Sequence, residues 1–407
     1  MNYVETSREP LRPIVDTPAA LEEALGALRN ATGPVAFDTE RAHGHRYWPK
    51  AYLLQIRREG AGTWLIDPVA FEATDSNLAS LVEATGEATW IIHAASQDLP
   101  CMQEIGIIPP RIFDTEMAAR LLGKNGASLG ALLEGELGIL LRKAHSADNW
   151  SKRPLPESWL TYAALDVDYL LDLAEVLQRQ LAEVARTDWV EQEDAETLRR
   201  FAVAPTPKQD PWRRVREVST LRTPLQYAVA RELWQERDQI AQRRDKPPTW
   251  MLPDAAILEV ANLCRDSVPD RGVLSQLRGL TNKGAARYLN NWLTALDRVR
   301  AMPPGDYPPR RAPQAGLPQP RNWDRINPEA AARWALIKPV LDGLACDLGG
   351  LQASLVAPPQ PVQECVFNHA LIDRATLLAS GVRPWQADFL VPAIAEALSG
   401  ESSDPEG

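Results

Sequence analysis

Three separated segments of the chain carry carboxylates at the ends of predicted buried strands or on a predicted helix. The first, VAFDTE, follows a chain-breaking Gly-Pro pair and predicts a short buried strand that ends at Asp38, with Glu40 two residues on. The second, TWIIHAASQDL, predicts another buried strand, which runs through small residues to Asp98 at the start of a helix. The third, YAALDVDYL, predicts a helix on which Tyr162 and Asp166 are four residues apart and share one face. A fold that packs these segments together gathers four carboxylates and one phenol.

Each segment taken alone also has a structural explanation. Asp-Thr-Glu occurs again at 114–116, ahead of MAARLLG, where Asp114 is interpreted as a helix N-cap and Glu116 as a favourable charge in the first turn. Asp98 alone also fits an N-cap, and a tyrosine in an apolar stripe usually packs. His93 is interpreted as a hydrogen-bonded core group rather than a catalytic base. The joint occurrence of the three segments, in this order, is what favours a functional site.

Four carboxylates in one site suit divalent cations. Residues two apart on a strand project from the same face, so Asp38 and Glu40 can chelate together. Hard oxygen ligands suit magnesium or manganese, and four carboxylates offset the charge of two such ions. Metals about 4 Å apart can stabilise both the attacking and the departing oxygen of a phosphodiester cleavage. The pattern therefore predicts two divalent cations, Mg²⁺ or Mn²⁺, as cofactors.

The chain resembles ribonuclease D of the DEDD exonuclease superfamily, which is similar in fold and metal chemistry to the proofreading exonuclease domain of DNA polymerases. The superfamily pattern is D-x-E, a central Asp, and then Y-x-x-x-D or H-x-x-x-x-D. Tyr162 and Asp166 fit the tyrosine type, and Thr161 stands where a histidine would be. The surrounding stretches RYWPKAYLLQI, HAASQDL, IFDTEMAARLLG and NWSKRPLPESWLTYAALDVDYLLDL match as well. The resemblance covers roughly the first half of the chain.

The resemblance implies a role for each of the five residues. Asp38, Glu40 and Asp166 would hold the metal that activates water, and Asp38 would also reach a second metal beside the leaving oxygen. Asp98 would support that second site, partly through water. Tyr162 would orient the attacking water near the scissile phosphate. The implied products are 5′-mononucleotides released one by one from a 3′ end.

Further residues in stretches shared with ribonuclease D are candidates for contact with nucleic acid. They are Gln55, Lys143, Trp150, Lys152 and Arg153. Lysine or arginine can contact phosphate, and an aromatic ring can stack on a terminal base. Surface charges and a buried tryptophan are the alternative explanation for each residue.

The second half of the chain shows helical spacing. Thr223 before Pro224 predicts an N-cap, Pro247-Pro248 ends that helix, and Pro253-Asp254 opens the next. This region resembles the helicase-and-ribonuclease-D C-terminal (HRDC) domain, an all-helical bundle that binds nucleic acid. Seven prolines within 301–321 predict an extended linker. The segments beyond it again show helical spacing and resemble a second, more divergent copy of the same bundle.

The expected architecture is an α/β exonuclease domain, ribonuclease H-like with a mixed sheet flanked by helices, followed by two all-α HRDC-type bundles. The expected segments are an exonuclease domain at 1–205, a first HRDC bundle at 211–300, a linker at 301–321, a second bundle at 322–400 and a disordered tail at 401–407.

The formal net charge of −10 is unexpected for a protein that binds nucleic acid with its whole surface. The charge is uneven along the chain, however: residues 1–210 carry −12, residues 211–300 carry +6 and residues 301–407 carry −4. The acidic excess lies in the part predicted to bind cations. A basic bundle beside it predicts an electrostatic contact with RNA, although a solvated helical bundle would also be charged.

Composition predicts an intracellular enzyme. The 407 residues predict two or three domains, and the four cysteines are widely spaced without a C-x-x-C pair, so no disulfide framework or structural zinc is expected. No signal-peptide pattern and no apolar stretch of about 20 residues is present. We therefore expect a cytoplasmic protein with no membrane association and no evident obligate protein partner.

The resulting functional hypothesis is a metal-dependent 3′–5′ exoribonuclease that trims the 3′ ends of small structured RNAs, such as transfer RNA precursors, by binding a single-stranded 3′ end. One alternative is an exonuclease that acts on DNA, since none of the four carboxylates reads a 2′-hydroxyl. Another is a catalytically silent scaffold that binds nucleic acid. The second alternative would predict the loss of a carboxylate, and all four are present.

Overall fold

The structure is a computed structural model that describes residues 3–74, 76–142, 145–203, 209–311 and 316–399. Lys143 and the predicted tail at 401–407 lie outside these residues. Among the helices of this described part, none is long and apolar enough to cross a membrane.

The N-terminal part is built on one mixed sheet of five strands in the order β3-β2-β1-β4-β5. β1 lies at its centre, pairs antiparallel with β2 and parallel with β4, and so joins the antiparallel half of the sheet to the parallel half. The predicted mixed sheet flanked by helices is confirmed. The strands are β1 (Val35–Arg41), β2 (Ala51–Arg58), β3 (Gly62–Ile66), β4 (Thr89–Ile92) and β5 (Arg111–Asp114).

Helices cover both faces of this sheet. Val35 and Phe37 point into a core with α1, α2 and α3, whereas Ala36 points into a second core with α4, α5 and α7. The helices are α1 (Pro18–Asn30), α2 (Ser80–Thr85), α3 (Leu99–Glu104), α4 (Thr115–Leu121), α5 (Leu129–Leu137), α6 (Glu157–Asp168), α7 (Leu170–Glu183) and α8 (Thr187–Phe201). α6 lies across β1, β2 and β3, which places a helix directly over the end of the central strand.

Residues 211–301 form the first helical bundle around its own core, which also contains Trp212 and Leu221 ahead of the first long helix. Thr223 caps α9 in a capping box with Gln226, and α11 begins at Asp254, so these two sequence predictions are confirmed. The helices are α9 (Pro224–Arg244), α10 (Pro248–Met251), α11 (Asp254–Leu263), α12 (Arg271–Leu274), α13 (Arg278–Thr281) and α14 (Leu289–Ala301).

A second bundle follows the proline-rich segment. Beyond Ala301, the last residue of α14, the described residues of this segment contain short 3-10 turns at Pro304–Asp306 and Pro320–Asn322 but no α-helix. The helices of the second bundle are α15 (Trp323–Ile326), α16 (Pro328–Asp347), α17 (Ala353–Val356), α18 (Pro359–Asn368), α19 (Arg374–Ala379) and α20 (Pro384–Ser399). Further 3-10 turns elsewhere in the chain are Pro68–Phe71, Ala95–Gln97, Pro211–Arg214, Val218–Thr220 and Ala285–Tyr288.

Both bundles pack on the sheet-containing part. Tyr47, in the loop after β1, joins the core of the first bundle. Trp385 of α20 stacks on Trp189 of α8, with ring centroids 4.3 Å apart. Leu351 and Val356 of the second bundle belong to the same buried cluster as α7 and the sheet. The second bundle therefore shares a core with the helices that back the sheet.

Candidate active site

Strand β1 carries the first two carboxylates. Asp38 is paired in register with Gln55 of β2 and Glu40 with Leu53, and the register then shifts at a bulge between Glu40 and Arg41. Alternation along the strand puts Asp38 and Glu40 on the face of the sheet that α6 covers. The strand predicted from the short apolar run therefore delivers both carboxylates under one helix.

Helix α6 brings the third carboxylate to the first two. Tyr162 and Asp166 lie one turn apart on it, as the spacing predicts. One carboxylate oxygen each from Asp38, Glu40 and Asp166 lies within 4.8 Å of the other two. Oxygens this close can bind a single cation together.

Asp98 occupies the N-cap position of α3, but its side chain makes no capping hydrogen bond. Its Oδ1 instead accepts a hydrogen bond of 2.7 Å from Thr39 Oγ1 and lies 3.6 Å from Arg41 Nη2. Asp98 is buried and lies outside the group of three oxygens, on the Thr39 side of the strand. The N-cap explanation therefore does not account for where this carboxylate points.

Asp114, in contrast, has the structural role predicted for it. Its carboxylate accepts hydrogen bonds from the backbone amides of Glu116 and Met117 at the start of α4. It also accepts from the amides of Ala94 and Ala95, each at 2.9 Å. Since this turn leads directly into Asp98, the second Asp-Thr-Glu helps to shape the site without entering it.

The four carboxylates carry more negative charge than their surroundings balance. Burial raises the pKa of Asp38 well above its usual range, and repulsion from Asp98 and Asp166 adds to the shift. Burial, followed by repulsion from Asp38, raises the pKa of Glu40 to about 10. Burial raises the pKa of Asp166 to about 7 and that of Asp98 to about 6. A cation would relieve this repulsion.

Gln55 gives a second indication that the site is built for a ligand. It lies opposite Asp38 across the strand pair and is fully buried, yet among the described residues neither of its side-chain amide atoms has a hydrogen-bond partner. Buried polar groups are normally paired with protein or with ordered water. Hard oxygen donors, unbalanced charge and an unpaired polar neighbour together fit a hydrated divalent cation.

Tyr162 lies at the opening of the site. Burial, followed by repulsion from Asp166 and Glu40, raises the pKa of its hydroxyl, so the phenol stays protonated. The ring of His145 meets it edge-on at 5.8 Å. A neutral hydroxyl beside the carboxylates can both donate and accept a hydrogen bond.

A cavity of about 840 Å³ opens onto these residues. Its lining includes Asp38, Asp98 and Tyr162, and Gly350 and Gln352 of the second bundle form part of its wall. A neighbouring groove of about 850 Å³ is lined by Arg142 and reaches Tyr162 and Asp166 from the other side. The site is thus a cleft between the sheet and the second bundle, with an open groove beside it.

Three of the residues predicted to contact nucleic acid are buried or paired with other groups of the protein. Trp150 is fully buried and its Nε1 donates to the carbonyl of His145, so its ring has no surface on which a base could stack. Gln55 is equally buried. The guanidinium of Arg153 donates to Asp67 at 2.5 and 2.6 Å and to the carbonyl of Tyr52. These contacts give Trp150 and Arg153 structural roles, whereas the Gln55 amide lies buried opposite Asp38 with no hydrogen-bond partner among the described residues.

Of the remaining two candidates, the structure describes one. Lys152 is exposed, and its ammonium lies over the ring of Trp159 at 5.7 Å from the centroid. Lys143 lies outside the described residues.

Sequence reasoning missed Thr39 and Arg41. Thr39 holds Asp98, and Arg41 donates to the carbonyl of Gln97 while its guanidinium faces Asp98. Thr39 stands between the two carboxylates of D-T-E, but only the folded pairing of two distant segments shows what it holds. The signal for Arg41 is a cation next to a run of carboxylates, which is too common to single out.

Comparison with known proteins agrees with this geometry. Residues 13–182 match a family model described as "3'-5' exonuclease", and residues 226–296 match the "HRDC domain". Residues 316–398 match instead a model described as "3' to 5' exonuclease C-terminal domain". The second bundle was predicted to be another HRDC copy, and this match does not establish that.

Curated relatives cover most of the chain. Ribonuclease D of Gluconacetobacter diazotrophicus is 31% identical over 341 residues, which are 82% of this chain and 81% of the relative. Ribonuclease D of Acidiphilium cryptum is 31% identical over 316 residues, which are 75% of this chain and 78% of the relative.

Two solved structures are similar in fold over nearly the whole length of this chain. A protein from Bifidobacterium adolescentis has a TM-score of 0.87 and 29% identity, and the match covers 98% of this chain and 99% of that protein. Escherichia coli RNase D, described as an exoribonuclease involved in structured RNA processing, has a TM-score of 0.67 and 21% identity over the full length of both chains. The latter likeness concerns the fold.

Proposed function

Because the chain belongs to the ribonuclease D family and is a 3′–5′ exoribonuclease, we propose that it trims the 3′ trailers of small structured RNAs, with transfer RNA precursors as the leading candidates. The main support for the catalytic site is that one carboxylate oxygen each from Asp38, Glu40 and Asp166 lies within 4.8 Å of the other two. RNA as the substrate is supported by the ribonuclease D relatives that cover most of the chain and by the basic first bundle beside an acidic cleft.

The site fits divalent cations, and we propose two, Mg²⁺ or Mn²⁺. Asp38, Glu40 and Asp166 would hold one, and Asp38 with Asp98 would hold the other. When bound, such cations supply Lewis-acid stabilisation of the attacking and departing oxygens of an in-line displacement. The raised pKa values of the carboxylates support this assignment, since the site without cations is short of positive charge.

The reaction is hydrolysis of the terminal phosphodiester. Water adds to the phosphorus, the bond to the 3′ oxygen of the preceding nucleotide breaks, and that oxygen takes up a proton. The products are a nucleoside 5′-monophosphate and an RNA that is one nucleotide shorter. Tyr162, protonated and at the opening of the carboxylate cluster, would orient the water through its hydroxyl.

Replacing Asp38 with Asn tests the catalytic assignment. Loss of one ligand charge should remove several kcal/mol of transition-state stabilisation, which corresponds to roughly a thousand-fold in rate. Mononucleotide release would be followed in magnesium and in manganese, with matched RNA and DNA tails. A D38N protein with wild-type release would overturn the metal site, and equal rates on both tails would remove the preference for RNA.

The first bundle would hold the structured body of the RNA while the single-stranded tail enters the cleft. Its net charge is +6, and Arg243 and Arg244 are exposed at the end of α9. Reversing both charges (R243E with R244E) in the full chain should weaken cleavage of a tailed hairpin more than that of a bare oligonucleotide. Equal losses on the two substrates would count against this role. Point substitutions are preferable to deletion of both bundles, since deletion would expose Trp189 and its neighbours.

The second bundle remains, in our proposal, a divergent HRDC-like copy. In each bundle a long helix opens after a side-chain N-cap followed by proline, Thr223-Pro224 in one and Asn327-Pro328 in the other. In each, this helix packs on the last helix, α9 on α14 and α16 on α20. Superposition of the two bundles in chain order tests the idea, and a different helix order or handedness would contradict it.

The domain boundaries 1–205, 211–300, 301–321 and 322–400 are proposals as well. Arg310 and Arg311 are exposed in the proline-rich segment, so brief trypsin digestion should cut there first. The cytoplasm, where RNA is processed, is the compartment we propose.

A further inference from the structure

Three aromatic side chains outside the catalytic cleft lie where the catalytic domain meets the first bundle. They are His45 and Trp48, in the loop after β1, and Trp250 of α10; we call them the aromatic seam. Trp48 is 44% exposed and Trp250 is 50% exposed. The ring of His45 meets that of Trp250 edge-on, with centroids 6.3 Å apart. Both tryptophans therefore present an aromatic face to solvent.

Hydrogen bonds and an ion pair from α9 fix the loop that carries His45 and Trp48. Asp245, at the end of α9, accepts hydrogen bonds from the backbone amides of Tyr47 and Trp48 at 3.1 and 3.2 Å and pairs with Arg46 at 3.2 Å. The hydroxyl of Tyr47 donates to Asp238 of α9 at 2.9 Å. The loop that carries His45 and Trp48 is therefore fixed to the bundle that carries Trp250, so little ordering is needed when a ligand binds.

One loop connects the seam to the catalytic cleft. Nε2 of His45 lies 3.2 Å from the carbonyl oxygen of Ala147. Two residues earlier in that loop, the ring of His145 contacts Tyr162, and Ser146 lines the cleft. His45 thus lies between Trp250 and the loop that forms one wall of the active site.

The surroundings of the seam favour a polyanion. The turn that contains Lys283 backs onto α10 so closely that a Cβ at Gly284 would lie 2.6 Å from the carbonyl oxygen of Trp250. Lys283 and Arg287 are exposed, and the bundle as a whole carries +6. Separate rings among cations suit the bases and phosphates of a single strand better than a protein partner, which would need a continuous apolar patch.

We propose that the aromatic seam stacks bases of the single-stranded RNA segment upstream of the 3′ end, and so guides the tail from the first bundle into the cleft. The inference rests on the exoribonuclease function and adds a substrate-positioning surface to it. Stacking tolerates any base because every base has an aromatic face. The seam therefore serves tail binding and translocation rather than sequence recognition.

The test separates binding from cleavage. In the full-length D38N background, the Kd for an unstructured RNA of about ten nucleotides would be measured for Trp250→Ala, Trp250→Phe and Trp48→Ala. One lost stack corresponds to roughly a 5- to 100-fold weaker Kd, and Trp250→Phe should keep most of the affinity. Leu371→Ala, which removes an exposed apolar side chain of the second bundle, is the matched control and should change nothing.

Cleavage by the otherwise wild-type enzyme provides the second arm. W250A should raise KM for the long RNA but leave hydrolysis of a trinucleotide unchanged, because so short a substrate ends within the cleft. An unchanged Kd in W250A, or equal losses in W250A and W250F, would overturn the seam. Failure of the wild-type enzyme to cleave either RNA would instead overturn the nuclease assignment, so the two failures are distinguishable.

Discussion

The hydroxyl of Thr39 donates a hydrogen bond of 2.7 Å to Oδ1 of Asp98. Thr39 stands on β1 between Asp38 and Glu40, whereas Asp98 follows β4. The strand that supplies two carboxylates to the cluster from one face therefore fixes Asp98 from its other face. This bond links the geometry of the first motif to that of the second.

Replacing Thr39 with Val should loosen this link while preserving the shape of the side chain. A hydrogen bond to a charged group contributes about 1.5–3 kcal/mol, so we expect the magnesium concentration for half-maximal activity to rise roughly 10-fold or more. Thr39→Ser keeps the hydroxyl and should behave like the wild type. A magnesium titration of initial rates measures the effect, and identical midpoints for T39V and T39S would refute it.

Asp166 and Asp168 form a matched pair on one helix. Asp166 belongs to the carboxylate cluster, whereas Asp168 is fully buried and accepts hydrogen bonds from Ser7 Oγ, the amide of Arg8 and Thr63 Oγ1. D166N should lose roughly a thousand-fold in rate without loss of stability in chelator, since it removes a repelling charge.

D168N should show the reverse pattern. Loss of a buried, multiply bonded carboxylate should cost about 2–4 kcal/mol of unfolding free energy, while activity per folded molecule at low temperature is retained. Chemical denaturation in chelator and rates in magnesium measure the two properties. If both variants lost the same property, the division of roles along the helix would be wrong.

The metal-free protein should become less stable as pH rises. The pKa of Glu40 is raised to about 10, that of Asp166 to about 7 and that of Asp98 to about 6, mainly by burial. Because these folded-state pKa values lie above the unfolded value of about 4, the folded state binds more protons. Stability is therefore full near pH 4 and falls as pH rises through the folded pKa values.

Magnesium should reverse this trend, since it competes with protons for the same oxygens. We expect the rise in Tm on adding magnesium to be larger at about pH 8.5 than at about pH 5.5, and to reach several degrees at saturation. Thermal melts in magnesium and in chelator across this range measure it. The D38N variant serves as the control, and an equal magnesium effect in D38N would place the binding elsewhere.

Alanine substitutions of Arg153 and Arg142 should have different effects, the first on stability and the second on RNA binding. R153A leaves the buried carboxylate of Asp67 without its partner and should cost about 2–4 kcal/mol of stability, with little change in the Kd for RNA. Arg142 is exposed beside the groove that reaches Tyr162 and pairs with Glu5 at the surface. R142A should leave stability unchanged and weaken RNA binding, more so at low salt. Denaturant titrations and binding isotherms distinguish the two, and weakened binding in R153A alone would reverse the assignment.

Local features of the sequence predicted much of this molecule. Thr223 and Asp114 could be assigned as N-caps because a cap depends on residues three or four positions away. The strand before Asp38 and the shared face of Tyr162 and Asp166 likewise follow from short-range periodicity. The resemblance of motifs supplied their order in the fold.

Features that depend on contacts between distant segments were not predictable in this way. The bulge after Glu40 and the bond between Thr39 and Asp98 arise from strand neighbours that no local pattern identifies. Trp150 lies in a stretch near the site, as expected, but proximity along the motif does not tell which way the ring points. Side-chain direction is decided by packing of the whole domain.

The core shared by α7, α8 and the second bundle limits how the chain can be recombined with its relatives. Trp189 and Trp385 bury each other's faces, and Leu351 follows the glycine that walls the cleft. A chimera that joins the nuclease of one relative to the C-terminal bundle of another would have to exchange α7 and α8 as well. The helices that back the sheet and the last bundle thus form one packing unit, although a whole bundle and a long proline-rich stretch separate them in the chain.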